Sequence, residues 1–542
     1  MVTRVLGLYN RVFLANIIGA GELGIYQLIF PVFMVCNAVC CSGIETALSR
    51  QVAAYGGQGC HGNIRRLVRM AVGVSLGLAA VLAAMVFFGA GPISTYLLKE
   101  PQCRECLKVM APVILFSTAH SCVLGYFYGL KKTVVPASSQ LIEQLCRVSA
   151  IYILSVTVFS GDQAGAVLAV CGMVAGDGIS CIYTLAAYKI HVRRLDHSLG
   201  TTALQNSDDV TRKNSGLTNR KSGGAVAQRN GGGPRRPASY GFLFRHLMQD
   251  AVPLTVNRLS LTMLSSVEAV LIPAMMKLYY TASGEALEIY GVVTGMAMPF
   301  VMFPTTITNS LASMLLPTVA EAAGRQDYKL VNRAVSKSVH YCLLIGIVSM
   351  SIFVLYGNGL GMAFFKNEMA GRLLTMFAFL CPFMYMSSAL ASVLNGLGKT
   401  QLTLLHNVIS VGIRIAFVVV CIPKMGISGY LWGMLLASLV LCAMHFYKIA
   451  KICGIHFHVV RSLLLPLLFA ALGGYISLGI YRWMLNAWSM PAILLLAFAC
   501  LCQLVVYALC LWVGGCLDIG ADGPAAETKN PTNPPADAHT AP

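Results

Sequence analysis

The chain has 542 residues, of which 57% are hydrophobic and only 11% are charged. A soluble domain carries roughly a quarter charged residues, so this composition excludes a protein that is water-soluble as a whole. The formal net charge of +18 does not indicate nucleic-acid binding, because the basic residues lie between apolar runs rather than on one polar face.

About fourteen apolar stretches of roughly 20 residues follow one another, each long enough to cross the roughly 30 Å hydrocarbon core of a bilayer. The first six predicted spans are residues 2–19, 24–48, 67–98, 107–130, 134–159 and 164–188. The next six are residues 247–276, 289–319, 334–357, 373–397, 401–422 and 426–449, and a last pair is 463–483 and 490–513. The pattern predicts an all-α polytopic membrane protein.

The spans divide the chain into regions of different composition. We expect an N-lobe in residues 1–190, a C-lobe in residues 246–452 and two further helices in residues 453–515. Residues 191–245 are rich in Ser, Gly, Asn and Arg and are predicted to be a disordered cytoplasmic linker. Residues 516–542, rich in Pro and Ala, are predicted to be a disordered tail.

A weak internal repeat relates the two lobes, with a period of about 267 residues as expected for a two-lobed transporter. The segment GLKKT at residues 129–133 corresponds to GLGKT at residues 396–400, and Arg147 corresponds to Arg414. Six spans, an even number, separate the copies, so the two lobes are predicted to have the same topology.

The orientation follows from the positive-inside rule. With the N-terminus inside, the inner loops and tails hold roughly 27 Lys and Arg residues and the outer loops roughly 8. Arg65, Arg66, Arg69, Lys131 and Lys132 fall on the inner side. We therefore expect a multi-pass protein of the cytoplasmic membrane with both termini in the cytoplasm, where the basic linker would contact either anionic lipid headgroups or only solvent.

The 19 cysteines mostly lie singly inside apolar stretches, where a cysteine packs as a small hydrophobic residue. Cys103 and Cys106 form a lone CxxC in a predicted outer loop, for which a disulfide, a metal site or chance spacing all stay open. The apolar start carries Arg4 and Arg11 and has no A-x-A site, so no cleavable signal is expected.

Charged residues inside spans are the candidates for function, because each costs at least roughly 2.5 to 3.5 kcal/mol at a helix centre. The cations are Arg4, Arg11, Arg147, Arg258 and Arg414, and the acids are Glu45, Glu143, Asp177 and Glu268. Arginines from both lobes would form a phosphate or pyrophosphate site, since guanidinium forks match phosphate oxygens. The alternative is structural pairing with Glu45, Glu143 and Glu268; Asp177 lies between two glycines and suits either helix packing or a site.

No enzymatic motif is present: there is no Walker loop, no nucleophile elbow and no HExxH. We therefore expect a protein that is not an enzyme and has no cofactor. Transport would be driven by an ion gradient, the membrane potential or the gradient of the substrate.

Several motifs resemble one family. TRVLG at residues 3–7, IGAGELGIYQ at 18–27 and SGI at 42–44 are followed by PASSQLIEQ at 136–144 and PLTVNR at 253–258, with further matches at residues 290–297. These resemble the stage V sporulation protein B family, in the polysaccharide-exporter branch of the multidrug/oligosaccharidyl-lipid/polysaccharide (MOP) flippase superfamily. The resemblance covers about residues 1 to 515.

The resemblance implies two six-helix lobes plus two C-terminal helices, and transport of an undecaprenyl-pyrophosphate-linked sugar similar to lipid II, for spore cortex or cell wall. It implies a pyrophosphate-binding role for Arg4. Two positions depart from the lipid II flippases: Asn10-Arg11 replaces their Arg-Asp, and residues 295–298 carry no arginine. The family also has about a dozen residues before the TRVLG motif, which favours an upstream start codon.

Three alternatives differ from this expectation. A cation-coupled multidrug exporter of the same fold would favour acidic cavity residues, a capsular or teichuronic polysaccharide flippase would carry another sugar, and a scaffold for cell-wall synthases would need no internal charges. The expected partners are a lipid-linked oligosaccharide, anionic lipids and cell-wall synthases, without nucleic acid.

Overall fold

The computed structural model describes residues 2–58, 60–158, 165–214, 239–282, 284–453, 460–487 and 491–516. Every regular element in these residues is a helix, which confirms the predicted all-α class. The helices of the first half are α1 Val2–Asn37, α2 Gly43–Gly57, α3 His61–Phe88, α4 Cys103–Gly129, α5 Val134–Thr157 and α6 Ala166–Asn214.

The second half begins with α7 Tyr240–Tyr279, and its other helices follow in chain order. They are α8 Glu285–Gly291, α9 Thr305–Gly324, α10 Tyr328–Phe365, α11 Glu368–Phe377, α12 Cys381–Gly396, α13 Thr400–Val420, α14 Ile427–Cys453, α15 Leu465–Ala487 and α16 Ala492–Val513. Short helical segments add Ala38–Ser42, Ala90–Pro92, Ile93–Leu97, Val292–Ala297, Met298–Val301, Ala378–Leu380, Ile422–Met425 and Val460–Leu464.

Eleven helices within the described residues are long and apolar enough to cross a membrane, or twelve if the pair broken at Pro304 is one span. The predicted count of fourteen is not confirmed. One reason is that residues Thr3–Gly57 form one continuous helical run of 55 residues. At 1.5 Å per residue the two stretches of this run, which meet at a break at Gly19, add up to about 80 Å, more than twice the bilayer core, so two predicted spans are counted as one. The other is that α5, which carries two charges, is not among the eleven.

The predicted loop at residues 20–23 is wrong, because two helical stretches of α1 meet directly at Gly19. Gly19 has φ 77° and ψ 175°, a conformation that a residue with a Cβ adopts only with strain. The predicted boundary of the first span therefore coincides with a sharp break. A second break lies between Val301 and Thr305, and it contains Pro304.

The two helix ends that the predicted repeat relates have the same cap geometry. After α4 the backbone N–H groups of residues 130, 131 and 132 donate to the carbonyls of residues 126, 128 and 127. After α12 the N–H groups of residues 397, 398 and 399 donate to residues 393, 395 and 394, which is the same pattern shifted by the repeat. At the equivalent positions Lys131 and Gly398 the backbone φ is positive, 58° and 74°, as the left-handed cap of a helix requires.

The chain forms two compact units. Unit 1 comprises Met1–Thr306, Phe353–Cys381 and Thr400–Met444. An apolar cluster in this unit joins α2, α3, α4 and α7 through fully buried side chains that include Leu48, Leu67, Phe127 and Leu247. Gln51 of α2 links this cluster to α7 by donating to Asp250 Oδ2 at 2.9 Å.

Unit 2 comprises Ile307–Ile352, Pro382–Lys399 and His445–Pro542. Its apolar cluster packs α10 against the C-terminal helices α15 and α16, with Ile347 and Leu511 among its buried residues. The Tyr507 hydroxyl donates to the Leu344 carbonyl at 3.2 Å, and His340 lies 3.1 Å from the Ser462 hydroxyl. These contacts fix the last two helices within unit 2.

The segments between and after the predicted lobes are only partly described. Helix α6 continues to Asn214, well past the predicted start of the linker at residue 191, and α7 begins at Tyr240. Residues 215–238 and 517–542 lie outside the described residues. The division into lobes and the disorder of the linker and tail stay predictions.

Candidate functional site

Unit 1 contains all nine charged residues that were candidates for function. Three of these side chains meet between α5 and α6. Arg147 Nη2 lies 2.7 Å from Glu143 Oε1 and 3.5 Å from Asp177 Oδ1, and the three side chains are only 14–19% exposed. A Cβ on Gly176 would lie 2.9 Å from the Glu143 carbonyl oxygen. This glycine therefore lets the two helices approach closely enough for Asp177 to reach Arg147.

Helix α1 adds a second cation to this cluster. Arg11 and Arg147 interact electrostatically with each other, and both interact with the fully buried hydroxyl of Tyr26. Glu143 and Asp177 also interact with Tyr26. Arg11 and Tyr26 thus interact electrostatically with the Arg147 cluster, and within the described residues neither makes a direct ion pair with its carboxylates.

A second ion pair lies between α7 and α13. Arg414 Nε donates to Glu268 Oε1 at 2.8 Å and Arg414 Nη2 donates to Oε2 at 2.9 Å. Each carboxylate oxygen therefore accepts a hydrogen bond from a different nitrogen of the same guanidinium. The Glu268 side chain is only 8% exposed. Two buried tyrosines, Tyr290 and Tyr430, interact electrostatically with this carboxylate.

Arg147 and Arg414, which the internal repeat relates, therefore both pair with carboxylates, but these carboxylates belong to different elements. Arg147 pairs within its own helix and with α6, whereas Arg414 pairs with α7. The structural pairing weighed from the sequence is present for Glu143 and Glu268. Glu45 makes no direct ion pair within the described residues, and it interacts electrostatically with Arg258.

The other three predicted arginines are exposed, namely Arg4 and Arg11 in α1 and Arg258 in α7. None of them has a direct carboxylate partner within the part of the chain that the structure describes. Arg258 lies near the middle of α7, which is long and apolar enough to span a membrane. An unpaired guanidinium at that depth must face protein or water rather than lipid.

A cavity of about 420 Å³ lies in unit 1 along residues 261–269 of α7, and neither Arg258 nor Glu268 lines it. Leu261 and Thr262, one helical turn beyond Arg258, line it together with Ser265 and Ser266 of α7. Helix α1 contributes Gln27 and Pro31 among others, and the opposite wall contains Tyr290 and Thr294. The polar lining is neutral and consists of hydroxyl and amide groups, which suit hydrogen bonding to an uncharged polar ligand.

Sequence reasoning missed three polar residues of this region: Glu22, Tyr26 and Tyr290. Glu22 was assigned to a loop, but α1 continues through it and Glu22 Oε2 accepts from the Ala166 backbone N–H at 2.7 Å. Tyr26 follows Glu22 by four residues, a spacing that places both on one face of a helix. Two polar groups at this spacing in an apolar run could have identified them from the sequence.

Cys103 and Cys106 form no disulfide, and both thiols are buried at the start of α4. Among the described residues, no group of three or more His, Cys, Asp and Glu side chains is arranged to hold a metal ion.

Comparisons with known proteins match both halves of the chain. The family described as polysaccharide biosynthesis protein matches residues 1–214, and the MatE family matches residues 259–420. Stage V sporulation protein B of Bacillus subtilis (strain 168) is 23% identical over 491 residues, covering 89% of this chain and 87% of that protein. Lipid II flippase MurJ of the same strain is 20% identical over 508 residues, covering 90% of this chain and 87% of that protein.

Solved structures show the same fold. Lipid II flippase MurJ in an inward closed conformation aligns with a TM-score of 0.66 at 13% identity, covering 95% of this chain and 97% of that chain. An inward-facing multidrug resistance MATE family transporter of the MOP superfamily aligns with a TM-score of 0.59 at 14% identity, covering 83% of this chain and 94% of that chain. The resemblance to the stage V sporulation protein B family and the MOP-type fold are confirmed.

Proposed function

We propose that this multi-pass membrane protein of MOP-superfamily fold is a flippase for an undecaprenyl-pyrophosphate-linked oligosaccharide. The substrate would resemble lipid II and serve spore cortex or cell wall. The two relatives are described as a stage V sporulation protein and as a lipid II flippase, and neither description names an enzyme.

The proposal rests on three arginines, Arg4, Arg11 and Arg258. They are exposed, and none has a direct carboxylate partner in the described residues. Guanidinium groups held in an apolar surrounding bind phosphate oxygens through paired N–H donors. Arg258 is the main candidate for the pyrophosphate, with Arg4 and Arg11 on α1. Arg147 and Arg414 would act by holding Glu143, Asp177 and Glu268 neutralised.

The uncharged polar lining of the cavity along α7 supports the proposal that the substrate has a saccharide headgroup. Sugars are recognised by hydroxyl and amide groups that alternate as donors and acceptors. Ser265, Thr262, Thr294 and Gln27 provide such groups on three wall segments. The lipid tail needs no enclosed site, since it can stay in the bilayer while the headgroup crosses.

The pairing of the acids favours a flippase over a cation-coupled multidrug exporter. Such an exporter needs a carboxylate that is available to bind a proton, a metal ion or a cationic drug. Here Glu143, Asp177 and Glu268 each contact an arginine directly, and Glu45, which has no direct ion pair in the described residues, interacts electrostatically with Arg258. Both termini are proposed to be cytoplasmic, and an ion gradient or the membrane potential is proposed to drive transport.

The test is complementation of a strain depleted of its lipid II flippase, scored together with spore cortex formation in a deletion strain. Rescue of growth together with loss of cortex in the deletion is the expected result. Normal cortex and no rescue would indicate a capsular or teichuronic polysaccharide carrier. Drug efflux without any change in peptidoglycan precursors would indicate the exporter. Intact biological function, without transport, of both the Arg147→Ala and the Arg258→Ala variant would favour a scaffold.

A further inference from the structure

Lys277, near the end of α7, makes two polar contacts with the turn that precedes α4. Its Nζ donates to Glu100 Oε2 at 2.6 Å and to the Lys99 carbonyl oxygen at 3.1 Å. The Glu100 side chain is 12% exposed and the Lys277 side chain is 44% exposed. Because one ammonium group binds both a carboxylate and a carbonyl just after a helical segment, it fixes this turn against α7. We call the three groups the latch.

The turn that carries Glu100 is held in one shape by its own backbone. Lys99 has φ 55°, a left-handed conformation that is uncommon outside glycine. The Glu100 N–H donates to the Ser94 carbonyl at 2.9 Å, and the Glu100 carbonyl accepts from the Cys103 N–H at 3.1 Å. These bonds position Glu100 independently of Lys277. The ion pair can therefore form and break without refolding of the turn.

The latch joins the two predicted lobes. Glu100 belongs to residues 1–190 and Lys277 to residues 246–452. The buried thiol of Cys103 interacts electrostatically with both latch residues and with Glu22 of α1. The start of α4, the end of α7 and the region of α1 around Glu22 thus lie together at one end of unit 1.

At the same end, α1 and α8 approach each other through glycines. A Cβ on Gly24 would overlap the Leu287 carbonyl oxygen, and a Cβ on Gly291 would overlap the Ala20 carbonyl oxygen. Only glycine at both positions allows this approach. Residues of the two predicted lobes are therefore in direct contact next to the latch.

This contact lies beyond one end of the cavity along α7. The cavity is lined by residues 261–269 of α7, and Lys277 lies eight residues further on, about 12 Å along the helix axis. On α1, Gln27 lines the cavity, and Gly24 precedes it by one helical turn. The glycine contact and the latch therefore separate the cavity from this end of unit 1.

We propose that Lys277 and Glu100 close the outer side of the cavity along α7, and that their ion pair breaks when that side opens. The proposal rests on the proposed transport function, in which the headgroup has to leave the cavity on the outer side. In the proposed orientation, α7 ends at the outer face. The two residues are thus positioning residues that hold the lobes together and do not contact the substrate.

The test measures how fast a maleimide labels Cys103 in the purified full chain in lipid nanodiscs. Cys103 is fully buried next to the latch, and Cys122 is fully buried further along the same helix. Peptide mass spectrometry distinguishes the two thiols. Because a buried thiol reacts only while its surroundings are open, the labelling rate follows the open population. No substrate is added, so the result does not depend on the complementation assay.

The variants Lys277→Gln and Glu100→Gln each remove one charge of the latch. We expect each to raise the labelling rate of Cys103 about tenfold and to leave that of Cys122 within about twofold. Lys108→Gln is the matched control, because the ion pair of Lys108 with Glu105, at 2.8 Å, lies within α4. It should leave both rates within about twofold.

Leu23→Cys distinguishes separation of the lobes from local opening of the turn. Leu23 is fully buried in α1, and its side chain packs against Gly295, where a Cβ would overlap it. Leu23→Cys should be labelled faster in the Lys277→Gln background than in the wild-type background. Faster labelling of Cys103 alone would mean that only the turn opens, which would overturn the proposal.

Equal labelling of Cys103 in Lys277→Gln, Lys108→Gln and the wild type would also overturn it. Should Lys277→Gln expose Cys122 as well, and thus be poorly folded, charge reversal decides. The double variant Lys277→Glu/Glu100→Lys should label Cys103 more slowly than Lys277→Glu alone, because opposite charges face each other again. Equal rates in these two variants would show that the ion pair does not hold the outer side closed.

Discussion

Arg414 and Glu268 form a two-branched ion pair, with Nε–Oε1 and Nη2–Oε2 distances of 2.8 and 2.9 Å, between helices α13 and α7 of unit 1. The same carboxylate interacts electrostatically with buried Tyr290 and Tyr430. Because both oxygens of Glu268 accept from one guanidinium, this pair holds the two helices in a defined register.

Breaking this pair should destabilise the protein. Arg414→Ala leaves the carboxylate of Glu268 buried without its cation, which we expect to lower the free energy of unfolding by about 3 to 5 kcal/mol. Arg414→Lys should recover only part of the loss, because an ammonium has no planar fork. Thermal unfolding in detergent measures the effect.

The control for this prediction is an ion pair on the surface of the same unit. Arg372 and Glu368 lie 3.2 Å apart with side chains 69% and 74% exposed, so Arg372→Ala should change stability by less than about 1 kcal/mol. A double variant Glu268→Leu/Arg414→Met should be more stable than Arg414→Ala. Equal losses in Arg372→Ala and Arg414→Ala would mean that burial of the pair has no consequence.

Arg258 and Arg147 should respond differently to replacement by alanine. Arg258 has no direct ion-pair partner in the described residues, so Arg258→Ala should reach the membrane at normal levels and lose transport at least about tenfold. Arg147→Ala leaves Glu143 and Asp177 facing each other without a cation, so its amount in the membrane should fall. Quantitative blotting alongside the complementation assay separates the two effects.

Partial rescue by Arg258→Lys is expected, since a lysine keeps the charge and loses the paired donors. Normal transport by Arg258→Ala would show that the anion site lies elsewhere. Normal abundance of Arg147→Ala with lost transport would instead indicate that Arg147 contacts the substrate.

Filling the cavity along α7 should impair transport without affecting folding. Ser265 lines the cavity of about 420 Å³ and is exposed, so Ser265→Phe places a ring in that space without disturbing a packed core. We expect transport to fall several-fold. Met263 in the same helix is 50% exposed and does not line the cavity, so Met263→Phe is the matched control. Equal transport in the two variants would exclude the cavity from the substrate path.

The sequence predicted the helical class, the repeat and the charged residues, because apolar run length and intramembrane charge are visible residue by residue. It named Glu268 as an alternative partner of the arginines, but it did not determine which arginine each acid contacts, because that depends on which helices touch. The partners of Arg147 include Asp177 on another helix, and the partner of Arg414 lies 146 residues away. Glu143 was predictable, since a spacing of four residues places it on the same helical face.

Span boundaries were less predictable for a related reason. Hydropathy locates apolar residues but carries no information on backbone direction, so the turn expected after Gly19 appeared as a direct junction of two helical stretches in α1. Glu22 was missed with it, because residues assigned to a loop were not considered as intramembrane groups, and Tyr26, inside the second predicted span, was missed because only charged residues were considered there.

The junction at Gly19 leads to the last prediction. Gly19 has φ 77°, and a Cβ there would meet no atom within 4 Å, so Gly19→Ala should act through backbone strain alone. We expect a loss of about 1 to 3 kcal/mol in the free energy of unfolding. Gly21 lies two residues on in the same helix with equal free space and without a positive φ, so Gly21→Ala should be neutral or stabilise by up to about 1 kcal/mol. Thermal unfolding of the pair in detergent tests this. Equal stability of the two variants would show that α1 passes through residue 19 in an ordinary helical conformation, and the first two predicted spans would then have no junction there.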